Sequence, residues 1–202
     1  MLEEHTFLES LPDDEKENIH RYAWISMVGA STRIENAILT DSEIDWLDSI
    51  LGEDAKQTAL EVHRSQIENK LSKDKERSIQ EVTGCRSVLL LVYEQAKDYF
   101  PLAEHTIRSL HHELLRHDSK VGLLKGVYKE YSNSVVEENH LTGEKRDIFK
   151  TAGPGFETEM AMKDLIEWYN KAIQEEPWQI AVAAEFVYRF LAIHPFQDGN
   201  GR

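Results

Sequence analysis

The chain has 202 residues, with 37 acidic against 23 basic, a net charge of −14 and an apolar content of 41%. That apolar share supports a packed core in one large domain or in a domain with a small extension, whereas the acidic excess argues against direct nucleic-acid binding, which needs a basic footprint. The single Cys85 excludes an internal disulfide framework and reads as a small buried apolar group in a helix.

The first twenty residues are acidic and lack the apolar stretch of a secretory signal. The longest apolar runs, such as Val88–Tyr93, are far too short to span a bilayer. A cytoplasmic protein with no membrane partner is expected, in keeping with the lone cysteine.

Residues 1–12 read as a ragged start. Asp13 and Asp14 are plausible helix caps, and Glu15 and Glu17 suit a first turn. The apolar spacing then predicts a helix to about Ala37, with Gly29 as its weak point. Inside it lies Ser31-Thr32-Arg33-Ile34-Glu35-Asn36, which sets Ser31 and Glu35 four residues apart on one helix face. Thr40-Asp41-Ser42-Glu43 has the spacing of a capping box, followed by Ile44, Leu47, Ile50 and Leu51 at helical intervals. Gly52 ends that helix. A further helix is expected from Glu53 to Ile67, then a charged connector from Leu71 to Arg77.

Ser78 to Phe100 is a long helix candidate, broken by Pro101. Leu102 to Arg116 follows as a helix with Ile107, Leu110, Leu114 and Leu115 inward. His111, His112 and Glu113 within it lack the His-Glu-x-x-His spacing of a zinc site. Gly122 to Gly126 turns the chain. Val127–Tyr131 with Val135-Val136 reads as strand, Thr142-Gly143 as a hairpin turn, and Lys145–Thr151 as a second strand. Thr142-Gly143-Glu144-Lys145 looks like a zinc-finger linker, but no Cys/His framework surrounds it. Ala152-Gly153-Pro154-Gly155 is a loop with little phosphate-binding potential. Phe156 to Ile173 is a helix. The last helix begins near Pro177 and is apolar on most sides, so it should be the buried central one.

The closing stretch is His194-Pro195-Phe196-Gln197-Asp198-Gly199-Asn200-Gly201-Arg202. Pro195 disfavours the helical conformation for His194, so the helix should end there. Gly199 and Gly201 bracket Asn200 in a tight turn whose backbone N–H groups can cradle an anion. Asp198 is a hard oxygen ligand of the kind Mg²⁺ shares with phosphates. Arg202 is a forked donor for phosphate oxygens. His194 is a base with an ordinary pKa near neutrality. Together they suggest transfer of a nucleotide or phosphoryl group to a hydroxyl.

This stretch resembles the Fic-domain signature, His-Pro-Phe-x-(Asp/Glu)-Gly-Asn-(Gly/Lys)-Arg. The resemblance implies an all-α, mainly helical Fic fold with a small β-hairpin flap beside the active site. Residues 78–202 would be the catalytic core, with the flap at about 126–151. Residues 1–77 would form an N-terminal helical region. Its residues 31–36 resemble the inhibitory motif (Ser/Thr)-x-x-x-Glu-(Gly/Asn), so Ser31, Glu35 and Asn36 would form the brake. Leu110-His111 resembles a recurrent pair in which the His is structural. Gly126-Val127-Tyr128-Lys129 resembles the Gly-x-(Tyr/Phe)-Arg flap start, with Lys129 where Arg is common.

The implied activity is transfer of AMP from ATP, with Mg²⁺, to a Ser, Thr or Tyr hydroxyl of a target protein docked at the flap. His194 would be the base and Asp198 the metal ligand. Gly199, Asn200, Gly201 and Arg202 would hold the phosphates, and Phe196 would anchor the loop. A homodimer is left open. The alternatives are removal of AMP, transfer of another nucleotide or phosphate-containing group, and a non-catalytic helical interaction module. The signature normally continues to a second Arg that this chain does not include, so the 202 residues are read as a fragment of a longer protein.

Overall fold

A computed structural model describes residues 7–52, 58–118, 120–138 and 142–202. It is mainly helical, and the chain divides into two compact units, Met1–Arg86 and Ser87–Arg202. The boundary expected after Arg77 falls at the start of the helix in which this division lies.

In the first unit, helix α1 spans Asp13–Arg33, with Asp13, Asp14 and Glu15 in its first turn, where acidic groups suit the helix dipole. It runs through the buried Gly29 without a break. It ends at Arg33, short of the expected Ala37, because Asn36 adopts the left-handed conformation with φ 67°. The Ala37 N–H reaches back to Thr32 O at 3.2 Å and the Asn36 N–H to Arg33 O at 3.1 Å. These are the two bonds of a Schellman ending, with Asn36 in its left-handed position. Ser31–Asn36 therefore straddles the helix end. Ile34 keeps helical torsions and Glu35 lies in the closing turn.

Helix α2, Asp41–Leu51, starts with the expected capping box: the Glu43 N–H donates to Thr40 Oγ1 and the Thr40 N–H to Glu43 Oε2. Ile44, Leu47 and Leu51 are its buried stripe. Residues 53–57 of the expected Glu53–Ile67 helix lie outside the described residues. The remainder is two short helices, α3 (Thr58–Val62) and α4 (Arg64–Lys70), separated at His63, whose φ of −96° and ψ of 5° leave the helical range. Leu71, placed by sequence in a charged connector, is buried. Helix α5, Glu76–Gln95, stops before the expected Phe100, and residues 96–99 tighten into a 3₁₀ turn. Its Arg86 is buried and donates to Asp48 Oδ1 at 2.5 Å and to the Gly52 carbonyl, tying α5 to the end of α2.

The second unit contains helix α6 (Glu104–Leu114), strands β1 (Ser134–Glu138) and β2 (Lys145–Lys150), and helices α7 (Phe156–Glu175) and α8 (Gln179–Ile193). The strands pair antiparallel, Ser134 opposite Lys150 and Glu138 opposite Lys145, with a bulge between Val135 and Val136. Residues 139–141 of their connection lie outside the described residues. Val127–Tyr131, expected as strand, is not one. The Lys129 N–H donates to the distant Pro195 carbonyl at 2.8 Å, and Tyr128 goes into the core. That core is Tyr128, Met162, Leu165, Ile166 and Phe196, with Ile107 and residues of α8 against it.

Helix α8 departs from expectation. Only Val182 is buried on it, and Phe186, Phe190 and Ile193 are half-buried towards the core. Ile180, Val187 and Tyr188 are more than half exposed. Helix α7 packs along α8, which covers one stripe of a helix whose apolar residues run around most of its circumference. Among the described residues, no helix is long and apolar enough to cross a membrane.

Candidate active site

Helix α8 ends at Ile193, where Pro195 stops helical continuation. His194 takes the left-handed conformation, φ 52° and ψ 62°, while its N–H still caps Phe190 O at 2.8 Å. A non-glycine residue there costs roughly 1–2 kcal/mol, a strain typical of functional positions. The imidazole Nδ1 is buried and makes no hydrogen bond. The Leu191 carbonyl acts on the ring and favours its charged form, but it is not placed for a regular hydrogen bond to Nδ1. Burial outweighs that effect, and the Lys129 ammonium adds to it, so the pKa of His194 lies below the usual histidine value. The ring is neutral at pH 7 and able to accept a proton.

The loop after His194 is closed by Asn200. Its Nδ2 donates to Phe196 O at 2.8 Å and its Oδ1 accepts from the Phe196 N–H at 2.9 Å, with the side chain buried. Both ends of the amide are therefore engaged within the loop. Gly199 has φ 79°, and a Cβ on it would lie 3.3 Å from His111 Nε2. Its N–H donates to Asp198 Oδ1 at 2.7 Å. The same oxygen lies 3.4 Å from Arg202 Nη2, and the Arg202 side chain is fully enclosed.

Phe196 anchors this loop in the core, buried beside Tyr128 and Phe190. His111 of α6 covers its other face and is held at both nitrogens. The Gly126 N–H donates to Nδ1 at 2.9 Å, so Nδ1 is an acceptor and the proton sits on Nε2, which is 2.9 Å from Asp198 O. Burial pushes the His111 pKa down to about 4. The ring is a fixed neutral strut beneath the Asp198–Gly199 peptide.

Three residues at this site carried no role in the sequence reading. Lys129 is 1% exposed, and its Nζ donates to Asn133 Oδ1, Thr151 Oγ1 and Ile193 O at 2.8–2.9 Å. Asn133 Nδ2 donates to Phe196 O at 3.0 Å. The Thr151 hydroxyl donates to Asn133 at 2.7 Å. The signal in the sequence was the place of Lys129 in Gly126-Val127-Tyr128-Lys129, where the resembling flap start has Arg.

The structure gathers His194, Phe196, Asp198, Gly199, Asn200, Gly201 and Arg202 into a single loop of the second unit. Ser31, Glu35 and Asn36 belong to the first unit. Among the described residues, no group of three or more His, Cys, Asp or Glu could cage a metal ion. A single carboxylate at a glycine-bracketed turn suits a Mg²⁺ that takes its other ligands from phosphates and water.

The Fic/DOC family model matches residues 101–202. A search of curated proteins returns no match. The matched segment runs from just before α6 to the end of the loop, and on that match the chain belongs to the Fic/DOC family, whose members are generally nucleotidyl- or phosphate-group transferases.

Proposed function

We propose that this protein is an adenylyltransferase that moves AMP from ATP to a Ser, Thr or Tyr hydroxyl of a target protein and is restrained by Glu35. The observation that carries this reading is the placement of a neutral, strained imidazole at the end of α8 and, four residues on, a carboxylate paired with an enclosed guanidinium.

His194 takes the proton of the attacking hydroxyl. Because Nδ1 is buried, Nε2 is the accepting nitrogen. The hydroxyl oxygen bonds to the α-phosphorus, the bond from that phosphorus to the bridging oxygen breaks, and pyrophosphate leaves. Mg²⁺, when bound, neutralises developing charge on the phosphate oxygens. Asp198 would hold it. The main-chain N–H groups of Gly199–Gly201 and the Arg202 guanidinium would hold the phosphates. The β1–β2 sheet would act as the flap, offering an open strand edge to the main chain of the target.

The brake rests on the sequence Ser31–Asn36, with Glu35 in the turn that the two closing hydrogen bonds form. The test is AMP incorporation from labelled ATP with Mg²⁺, with self-labelling as the readout. Wild type should label weakly, Glu35→Gly strongly, and Glu35→Gly combined with His194→Ala not at all. If Glu35→Gly is silent with ATP, the adenylyl reading fails, and UTP, GTP and CDP-choline show whether another group is transferred.

A further inference from the structure

The catalytic loop is held by its carbonyl groups. The Ile193 carbonyl accepts from Lys129 Nζ at 2.9 Å, and that of Pro195 from the Lys129 N–H at 2.8 Å. The Phe196 carbonyl accepts from Asn133 Nδ2 at 3.0 Å, and that of His194 lies 3.5 Å from the same atom. Four consecutive carbonyls on either side of the base are thus served by two residues. An ammonium has three donors, and the two that do not hold Ile193 reach Asn133 Oδ1 and Thr151 Oγ1. Asn133 immediately precedes β1 and Thr151 immediately follows β2. The roots of both strands therefore meet at the atom that caps the last residue of α8.

A fully buried lysine is rare because its charge must be desolvated. Here three neutral acceptors and the exposed C-terminal end of a helix compensate. The backbone at His194 fixes the direction of its Cα–Cβ bond, and with it the positions that the imidazole can reach. We infer that Lys129 is a positioning residue for His194: through Ile193, Pro195 and Asn133 it fixes the backbone that aims the imidazole, and it ties that backbone to the two strand roots. The kinetic part of this inference rests on the proposed transfer reaction; the structural part does not.

The charged groups in play are few. Among the described residues, Lys129 is the charge that acts on His194, and Glu157 at the start of α7 is the one that acts on Lys129. The test compares Lys129→Met, Lys129→Arg and Asn133→Ala with their parent, in the wild-type chain for spectroscopy and in the Glu35→Gly background for kinetics. The first readout is the His194 ring resonance and its titration by NMR, which needs no substrate. The second is the split of transfer kinetics into kcat and KM for ATP.

In Lys129→Met the His194 resonance should move, its titration should shift to higher pH, and kcat should fall at least about 30-fold with KM within about threefold, as a misaimed base predicts. Lys129→Arg, which restores a charge and N–H donors, should recover most of kcat. Asn133→Ala should lower kcat by about 5- to 10-fold without raising the His194 titration, because the charge stays.

An unchanged His194 resonance and titration in Lys129→Met, with kcat within about twofold, overturns the inference. If Lys129→Met does not fold, Asn133→Ala decides, and an unmoved resonance with kcat within about twofold overturns it equally. If Glu35→Gly itself transfers nothing, the transfer reading has failed, and the NMR comparison alone judges Lys129.

Discussion

The imidazole of His111 lies flat against the ring of Phe196, with centroids 3.7 Å apart and planes within 4° of parallel. Phe196 reaches into the core from the catalytic loop, and His111 reaches it from α6 while bonding the Asp198 carbonyl. The stack therefore joins the core to the loop. Phe196→Ala should cost about 3–5 kcal/mol in urea denaturation, the usual range for emptying a buried aromatic site, and should abolish transfer. Phe196→Leu should retain the fold at a smaller cost.

The same histidine gives stability an acid dependence. Its folded pKa of about 4 lies below its ordinary value of 6.5, so between these values the unfolded chain binds more protons than the folded one. The contribution is intact above pH 6.5 and is lost as pH falls towards 4. The maximum effect is of order 3 kcal/mol. Urea midpoints between pH 7 and pH 4 should fall steeply in wild type. In His111→Gln the slope across that window should be shallower, although the variant starts less stable.

His194 sets stability against function. A glycine has no steric objection to φ 52°. His194→Gly should abolish transfer and raise unfolding stability by about 1 kcal/mol. Loss of stability in this variant would show that the ring contributes more by packing than the backbone loses by strain.

Asn36 occupies the corresponding left-handed place at the end of α1, with φ 67°. Asn36→Gly should leave the melting temperature nearly unchanged. Asn36→Val, β-branched and ill-suited to that conformation, should cost about 1–2 kcal/mol. Because the proposed brake depends on a fixed Glu35 turn, Asn36→Val should also raise self-labelling towards the level of Glu35→Gly.

Gly126 is the most constrained glycine near the site. Its φ is 69°, and a Cβ there would lie 2.7 Å from the Arg108 carbonyl, a backbone atom with little room to give. Gly126→Ala should destabilise by about 2 kcal/mol or more. It should also disturb the His111 tautomer, because the displaced N–H is the one that fixes it. The NMR signals of the His111 ring would report both changes.

Local chemistry was the part of the fold legible in the sequence. The capping box at Thr40–Glu43 and the stop at Pro195 are decided within a few residues, and both formed where expected. Errors arose where distant partners decide. Val127–Tyr131 has a strand-like composition, but the N–H at its centre, that of Lys129, is claimed by Pro195, far along the chain. Helix α8 is apolar around most of its circumference, and periodicity cannot say which stripe will find a partner. The candidate loop was legible as a set of residue types. The fastening of Asn200 inside that loop was not, nor was the burial of Lys129, a residue type that composition alone places in water.

Asp198 and Arg202 stand 3.4 Å apart, and in the proposed function the first would hold the dication and the second the phosphates. A dication bound at the carboxylate weakens its hold on the guanidinium, and phosphates bound at the guanidinium release the carboxylate. Each ligand thereby removes an internal competitor of the other. The two should bind with positive cooperativity, and the factor by which Mg²⁺ tightens ATP must equal the factor by which ATP tightens Mg²⁺. Calorimetric titration of either alone should show weak binding, and titration of one in the presence of the other should reveal the coupling directly.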